Sequence, residues 1–206
     1  MRPNPSLKRS ANGRPPGPGR WYAVHFHRPG LGVLRLAPAW LERQASEFHP
    51  AKALTMKDTI VRIANPGDVP AITACVCEAY VHYIERIGKR PGPMLEDFQE
   101  TVSTAQVHVV ESNGRVVGVA VLLVTDEGFY LDNVAVRPSA KGTGVGRTLL
   151  ELAECEAKRQ GYVSIYLATH ELMHENRALY ARIGYDEYDH RVVNGYPRVF
   201  FRKQLQ

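Results

Sequence analysis

Leu131-Asp132-Asn133-Val134-Ala135-Val136-Arg137-Pro138-Ser139-Ala140-Lys141-Gly142-Thr143-Gly144-Val145-Gly146 is the stretch whose reading decides the fold. Apolar residues alternate at a strand's period as far as Val136, and Pro138 to Gly146 then forms a glycine-rich loop. Arg147 to Arg159 carries Leu149, Leu150, Leu152 and Ala153 at helical spacing, Gly161 stops it, and Val163 to Thr169 reads as a buried strand. Such a strand, loop, helix, strand unit closes as a right-handed crossover, so its two strands are parallel. Free backbone N–H groups and the positive helix end make the loop a place for a pyrophosphate, and its glycines allow close approach. It is not a Walker loop: Lys141 stands where the first glycine would be, and Arg147-Thr148 replaces Lys-Ser/Thr. A dinucleotide fingerprint would need glycine in place of Arg147. Taken alone, the glycines also allow a plain flexible linker.

Upstream, Asn113-Gly114 is a hairpin signal that joins Val107–Ser112 to Arg115–Thr125, and Phe129–Val136 pairs next, which gives an antiparallel meander. A short strand at Ile60–Ala64 precedes a helix launched by Asn65-Pro66-Gly67-Asp68 and running to about Ile87. Gly88 and Pro91-Gly92-Pro93 break it, and Leu95–Thr104 forms a second helix. Downstream, a helix from about Glu175 to Ile183 ends at Gly184, and Tyr185–Val192 with Arg198–Lys203 closes the sheet as a hairpin. The expected fold class is α/β, with a mixed, mostly antiparallel central sheet and flanking helices.

This order of elements, with a hydrophobic-x-x-hydrophobic-x-Val strand followed by a loop ending Gly142-Thr143-Gly144-Val145-Gly146, resembles the GCN5-related N-acetyltransferase (GNAT) superfamily over Thr59 to about Leu205. The family loop begins with Arg or Gln where Lys141 stands, so a cation is kept and the planar fork is lost. The resemblance implies a parallel strand pair that splays apart, with acetyl-CoA as co-substrate in the gap. It implies strand contacts from Val134 and Val136 and pyrophosphate contacts from Lys141, Gly142, Thr143, Gly144, Val145, Gly146 and Arg147. It further implies an N-acetyltransferase moving the acetyl group to a primary amine in a ternary complex. Leu179-Tyr180-Ala181-Arg182-Ile183-Gly184-Tyr185 fits the family's Leu-Tyr-x-x-x-Gly-Phe/Tyr pattern, which makes Tyr180 the expected acid at the leaving thiolate. The commoner family form has Asn where this chain has Met173, and Asn176 is the nearby cofactor candidate.

Asp132 and Glu171 are the candidate bases for the attacking amine, Asp132 first because alternation puts it on one face with Val134 and Val136. Tyr80, Tyr83 and Ile84 share a helix face and, with the Arg86–Met94 loop, are the expected substrate walls, with Glu171 near them. His170-Glu171-Leu172-Met173-His174 matches the zinc-protease motif H-E-x-x-H. It follows a buried strand, however, and a strand-to-helix junction does not hold two histidines one helical turn apart, so no metal is expected. A non-catalytic acyl-CoA-binding module on the same fold is the remaining alternative.

Composition sets the limits. Residues 1–55 hold nine Lys/Arg against two Asp/Glu and eight of the 14 prolines, without periodicity. Residues 1–56 therefore read as a disordered or spurious leader, with Met56 a plausible start, and 57–206 as the catalytic domain. The remainder is near neutral, with 17 basic and 19 acidic residues, and gives no reason to expect nucleic acid as a partner. Three cysteines without metal spacing suggest ordinary buried thiols, and no apolar run approaches the roughly 20 residues of a membrane span. The expectation is a cytoplasmic monomer or homodimer whose acceptor is a small molecule or peptide amine.

Overall fold

Asn113 and Gly114 both adopt positive φ, 50° and 71°, the conformation that matches the twist of a tight hairpin. They fold β2 (Gln106–Ser112) onto β3 (Arg115–Thr125), and β4 (Gly128–Val136) continues the meander. The computed structural model describes residues 59–206; the leader expected over 1–56 lies outside the described residues. With β1 (Thr59–Ile63), β5 (Ser164–His170), β6 (Asp186–Val193) and β7 (Tyr196–Gln204), the sheet has the order β1-β2-β3-β4-β5-β7-β6. Only β4 and β5 are parallel, as the crossover requires.

Strand alternation divides the core into two layers. On one face Ala120, Leu122, Phe129, Leu131, Ile165 and Leu167 pack against α4 (Val145–Arg159) and α5 (His174–Arg182). On the other, Val109, Val119, Val121 and Ala135 pack against α1 (Val69–Tyr80) and α3 (Phe98–Thr104). Among the described residues no helix is long and apolar enough to cross a membrane.

The helices expected at 65–87 and 95–104 are each more divided than the sequence pattern suggests. Asn65 and Asp68 form a capping box, but over a 3₁₀ turn, Pro66–Asp68, that precedes α1. α1 then stops at Tyr80, where Ile84 N–H closes onto Val81 C=O in an i to i+3 bond that tightens the chain before α2 (Tyr83–Ile87). Gly88, at φ 77°, caps α2. Asp97, by accepting the N–H groups of Gln99 and Glu100, sets the start of α3 three residues later than expected. The cysteines also differ from the expectation: Cys75 is buried, Cys77 half-buried and Cys155 exposed.

Close approach of α4 to the sheet depends on Gly118. A Cβ there would lie 2.6 Å from Val145 Cγ1 and 3.0 Å from Leu149 Cδ1, so the first turn of α4 rests on bare backbone. Overpacking of this kind costs about 1–3 kcal/mol. For Gly118→Ala, thermal denaturation is therefore expected to show a midpoint several degrees lower, at about 2–4 °C per kcal/mol for a chain of this size. An unchanged midpoint would mean that α4 is not seated on that glycine.

Burial holds the His108 and His170 imidazoles below their ordinary range, so the unfolded chain binds protons near pH 6.5 that the folded chain does not. Stability from both groups is present above that pH and is lost as pH falls below it. The thermal midpoint should drop between pH 7.5 and 5.5, and His108→Gln should flatten that dependence; an equal slope in the variant would exclude His108 as a source.

Candidate functional site

β4 and β5 are hydrogen-bonded over only three residue pairs, Phe129–Ile165, Tyr130–Tyr166 and Leu131–Leu167. Beyond them the strands part, and a cavity opens that is lined by Leu131, Asp132 and Val134 of β4 and by Ala168, Thr169 and His170 of β5. The parting coincides with a bulge. Val121 faces Asn133 and Leu122 faces Leu131, which leaves Asp132 as the extra residue of β4. The bulge corrects one expectation. Leu131, not Asp132, shares the packing face of Val134 and Val136, while Asp132 turns toward a smaller cavity with Phe98 and Val121 on the opposite side.

The open edge of β4 carries unused donors. Arg137 N–H bonds Val117 C=O on β3, so alternation aims the N–H groups of Val136 and Val134 away from β3 and into the gap. The hydroxyl of Tyr80 enters the same gap and donates to Asn133 Oδ1 at 2.9 Å and Val134 C=O at 3.3 Å.

At the far end of β4 the chain makes a 3₁₀ turn, Pro138–Ala140, and then the glycine loop. Gly142 and Gly144 take φ of 81° and 95°, and Gly144 is the N-cap of α4 without any side-chain capping bond. The first amides of a 15-residue helix are thus left open to an anion, reinforced by its dipole. Helix α4 begins at Val145, two residues earlier than the apolar period implies, because the apolar pattern cannot register a turn whose job is to expose backbone. Lys141 and Arg147 are exposed, and Arg147 pairs with Glu151 at 2.7 Å. Thr143 Oγ1 donates to Ala140 C=O at 2.7 Å, bracing the loop.

Tyr180, on α5, lines the gap together with Asn176 and Met173. Its ring is buried against Tyr185 and Phe201, and that burial pushes the phenol well above its ordinary value, so it holds its proton as a donor. Asn176 accepts from Tyr83 Oη at 3.5 Å and donates to Met173 Sδ at 3.6 Å, which ties α2 to α5. Tyr80 and the Pro91-Gly92-Pro93 turn are walls of the cavity, whereas Tyr83 stands behind it and acts through Asn176.

Glu171 does not join the site. It is exposed in the turn after β5, where its N–H bonds Pro197 C=O. The H-E-x-x-H residues are split between two elements: His170 ends β5, buried, with Nδ1 accepting Leu172 N–H at 3.2 Å, and His174 begins α5, exposed.

Two arginines of the site carry no motif. Arg137 is 4% exposed and fixes the end of β4 by donating Nε to Val116 C=O at 2.6 Å and pairing with Glu78 of α1. Arg198, on β7, lines the gap opposite Asp132. Position in space alone identifies Arg198, since β7 is 60 residues and more from β4 in sequence, whereas Arg137 follows β4 directly and is distinguished by its burial and its bonds.

Comparison with known proteins places this geometry. The sequence profile described as Acetyltransferase (GNAT) family matches residues 76–185, more than half of the chain. The [Ribosomal protein bS18]-alanine N-acetyltransferase of Haemophilus influenzae is 31% identical over 86 residues, 42% of this chain and 58% of that protein. The IAA acetyltransferase of Azospirillum brasilense is 34% identical over 79 residues, 37% of this chain and 52% of that protein. The chain thus spans about half the length of the curated relatives it matches. Among solved structures, the PaiA N-acetyltransferase of Thermoplasma acidophilum in complex with coenzyme A aligns with a TM-score of 0.62 at 14% identity, covering 72% of this chain and 99% of that one. The ribosomal-protein-S18-alanine N-acetyltransferase of Escherichia coli gives 0.58 at 19%, over 72% and 95%. At these identities the structural likeness concerns the fold.

Proposed function

From a chain that belongs to the acetyltransferase (GNAT) family, we propose an N-acetyltransferase that takes acetyl-CoA as co-substrate and moves its acetyl group to a primary amine in a ternary complex. The observation that carries this reading is the gap between β4 and β5, which has open β4 amides on one side and Tyr180 on the other. The donor set fits the co-substrate: backbone N–H groups at Gly142 to Arg147 suit a pyrophosphate, and the N–H groups of Val134 and Val136 suit an amide-bearing arm and a carbonyl. The co-substrate supplies an activated acetyl thioester.

The chain's residues then divide the work. The β4 amides orient the acetyl carbonyl and meet the negative charge that develops on its oxygen as the amine adds. Asp132, directly or through water, takes the proton that the amine nitrogen must lose as its C–N bond forms. Tyr180 donates to the sulfur as the C–S bond breaks, so the thiol leaves with a proton and charge balances. A phenol kept neutral by burial suits that duty and would serve poorly as a base. Asn176, through Tyr83, ties α5 to α2 and so holds Tyr180 at the gap. A non-catalytic acyl-CoA binder has no use for a buried hydroxyl aimed into the gap, and that hydroxyl favours the enzyme.

Gly144→Val places a β-branched residue at φ 95°, a conformation open to glycine and strained for valine. Coenzyme A affinity by calorimetry should fall at least about tenfold, with a circular dichroism spectrum like that of wild type. Full affinity in the variant would remove the loop from the site.

Tyr180→Phe keeps the ring that packs on Tyr185 and Phe201 and removes only the hydroxyl. Loss of this donor is expected to slow single-turnover acetyl transfer by about 10² to 10⁴, roughly 3–5 kcal/mol of barrier, while coenzyme A affinity is kept. A wild-type single-turnover rate would show that the phenol is packing alone.

A further inference from the structure

On the sheet face that α1 and α3 cover over β2, β3 and the end of β4, a separate cluster lies farther along, on β4, β5 and β7. It is formed by Tyr130, Tyr166 and Phe200, with the Tyr130 and Tyr166 rings stacked at 4.5 Å. With Leu123, Val193 and the ion-paired Glu127 and Arg191 they line a mostly apolar cavity of about 630 Å³, including its open mouth, and the Arg191 guanidinium lies 4.0 Å from the Phe200 ring centroid. It adjoins the reaction gap, because Ala168 and Arg198 line both.

Arg198 stands at that junction, across from His170 on β5 and Arg191 on β6. It fills the space beside Gly92, where an added Cβ would lie 3.0 Å from Nη2. The neighbouring arginines are engaged: Arg191 pairs with Glu127 and with Asp189, each at 2.9 Å, and Arg202 reaches Glu127 at 4.0 Å. Arg198 makes no ion pair among the described residues, although it is half-buried. Its charge is felt across the β5–β7 ladder, since burial first and then Arg198 depress the His170 imidazole. Two acidic residues line the smaller cavity with it. Glu96, in the smaller cavity, accepts from Thr101 Oγ1 at 2.6 Å, and Asp132 borders both the smaller cavity and the gap. The reaction gap therefore holds one guanidinium and one carboxylate beside an apolar, aromatic-walled recess. A half-buried guanidinium favours a bidentate anion over water.

Resting on the acetyltransferase reading, we propose that the acceptor is a zwitterionic α-amino acid with an aromatic or large apolar side chain. Its amine lies toward Asp132, its carboxylate on Arg198, and its side chain against Tyr130, Tyr166 and Phe200. An acceptor that is a peptide N-terminus has an amide in place of that carboxylate, and a simple amine has neither.

The test measures thiol release by the full chain with acetyl-CoA and phenylalanine, phenylalaninamide or alanine as acceptor. Phenylalanine should exceed both its amide and alanine at least tenfold in kcat/KM. Arg198→Met should bring the acid down to the level of the amide, Arg198→Lys should recover part of the difference, and Val193→Trp, which fills the recess, should erase the preference over alanine. An amide equal to or better than the acid in wild type overturns the proposal, whether or not the variants fold. Wild-type protein that binds coenzyme A by calorimetry yet turns over no free amino acid overturns this inference and leaves the acetyl-CoA reading standing; failure to bind coenzyme A removes both.

Discussion

β4 and β5 stay paired for three residues and then part, and the rest of the site follows from where that happens. An unpaired strand edge inside a sheet leaves N–H and C=O groups without partners, and burying them unpaired is costly. Here the exposed edge belongs to Val134 and Val136, and Tyr80 meets one of its carbonyls from α1. The bulge at Asp132 lies one residue past the last β4–β5 pair. It re-aims the strand, adds local twist, and sets Asp132 where it borders both the gap and the smaller cavity.

The glycine loop is held to this gap from both ends. Arg137 ties the end of β4 to β3 and to α1, so the turn into the loop cannot drift from the open edge. At the other end, the missing side chain of Gly118 lets Val145 and Leu149 press α4 onto β3. These contacts are unlike in kind, one a buried charged hydrogen-bond network and the other bare packing. Their joint effect is to fix the distance between helix-terminal donors and strand amides, which a two-ended ligand must span. Preorganisation of that kind lowers the ordering that binding would otherwise require.

Much of this was legible in the chain because each signal was local. The Asn113-Gly114 turn, the crossover between β4 and β5, the loop glycines and the Leu179 to Tyr185 pattern each lie within a few residues of what they specify. Reading failed where the cause was not local. Strict alternation placed Asp132 with Val134 and Val136, because a bulge arises from register against β3 and leaves no mark in β4 itself. Closeness in sequence to β5 points Glu171 toward the gap, but in the turn that follows β5 its N–H bonds Pro197 C=O and the residue is exposed. Arg198 is a single cation in an unremarked strand, and Arg137 a single cation just past β4; neighbours on other elements give each its place.

The electrostatic plan of the gap separates two kinds of polarity. On the loop and β4 side the donors are backbone amides, which carry no titratable proton and do not change with pH. On the β7 side Arg198 brings a full positive charge beside His170, whose imidazole is held below its ordinary range by burial and by Arg198 itself, while Asp132 of the β4 bulge borders both the gap and the smaller cavity. Tyr180 sits between them, its hydroxyl desolvated and its proton retained. A binding half that is indifferent to pH suits a co-substrate whose affinity should be constant. Under the proposed function, a charged half ties recognition of the acceptor to its protonation state, because an amine loses its proton before it attacks. On the proposed reading, discrimination between acceptors falls on the same residues as their activation, so selectivity is expected in kcat/KM for the amine rather than in affinity for the acetyl donor.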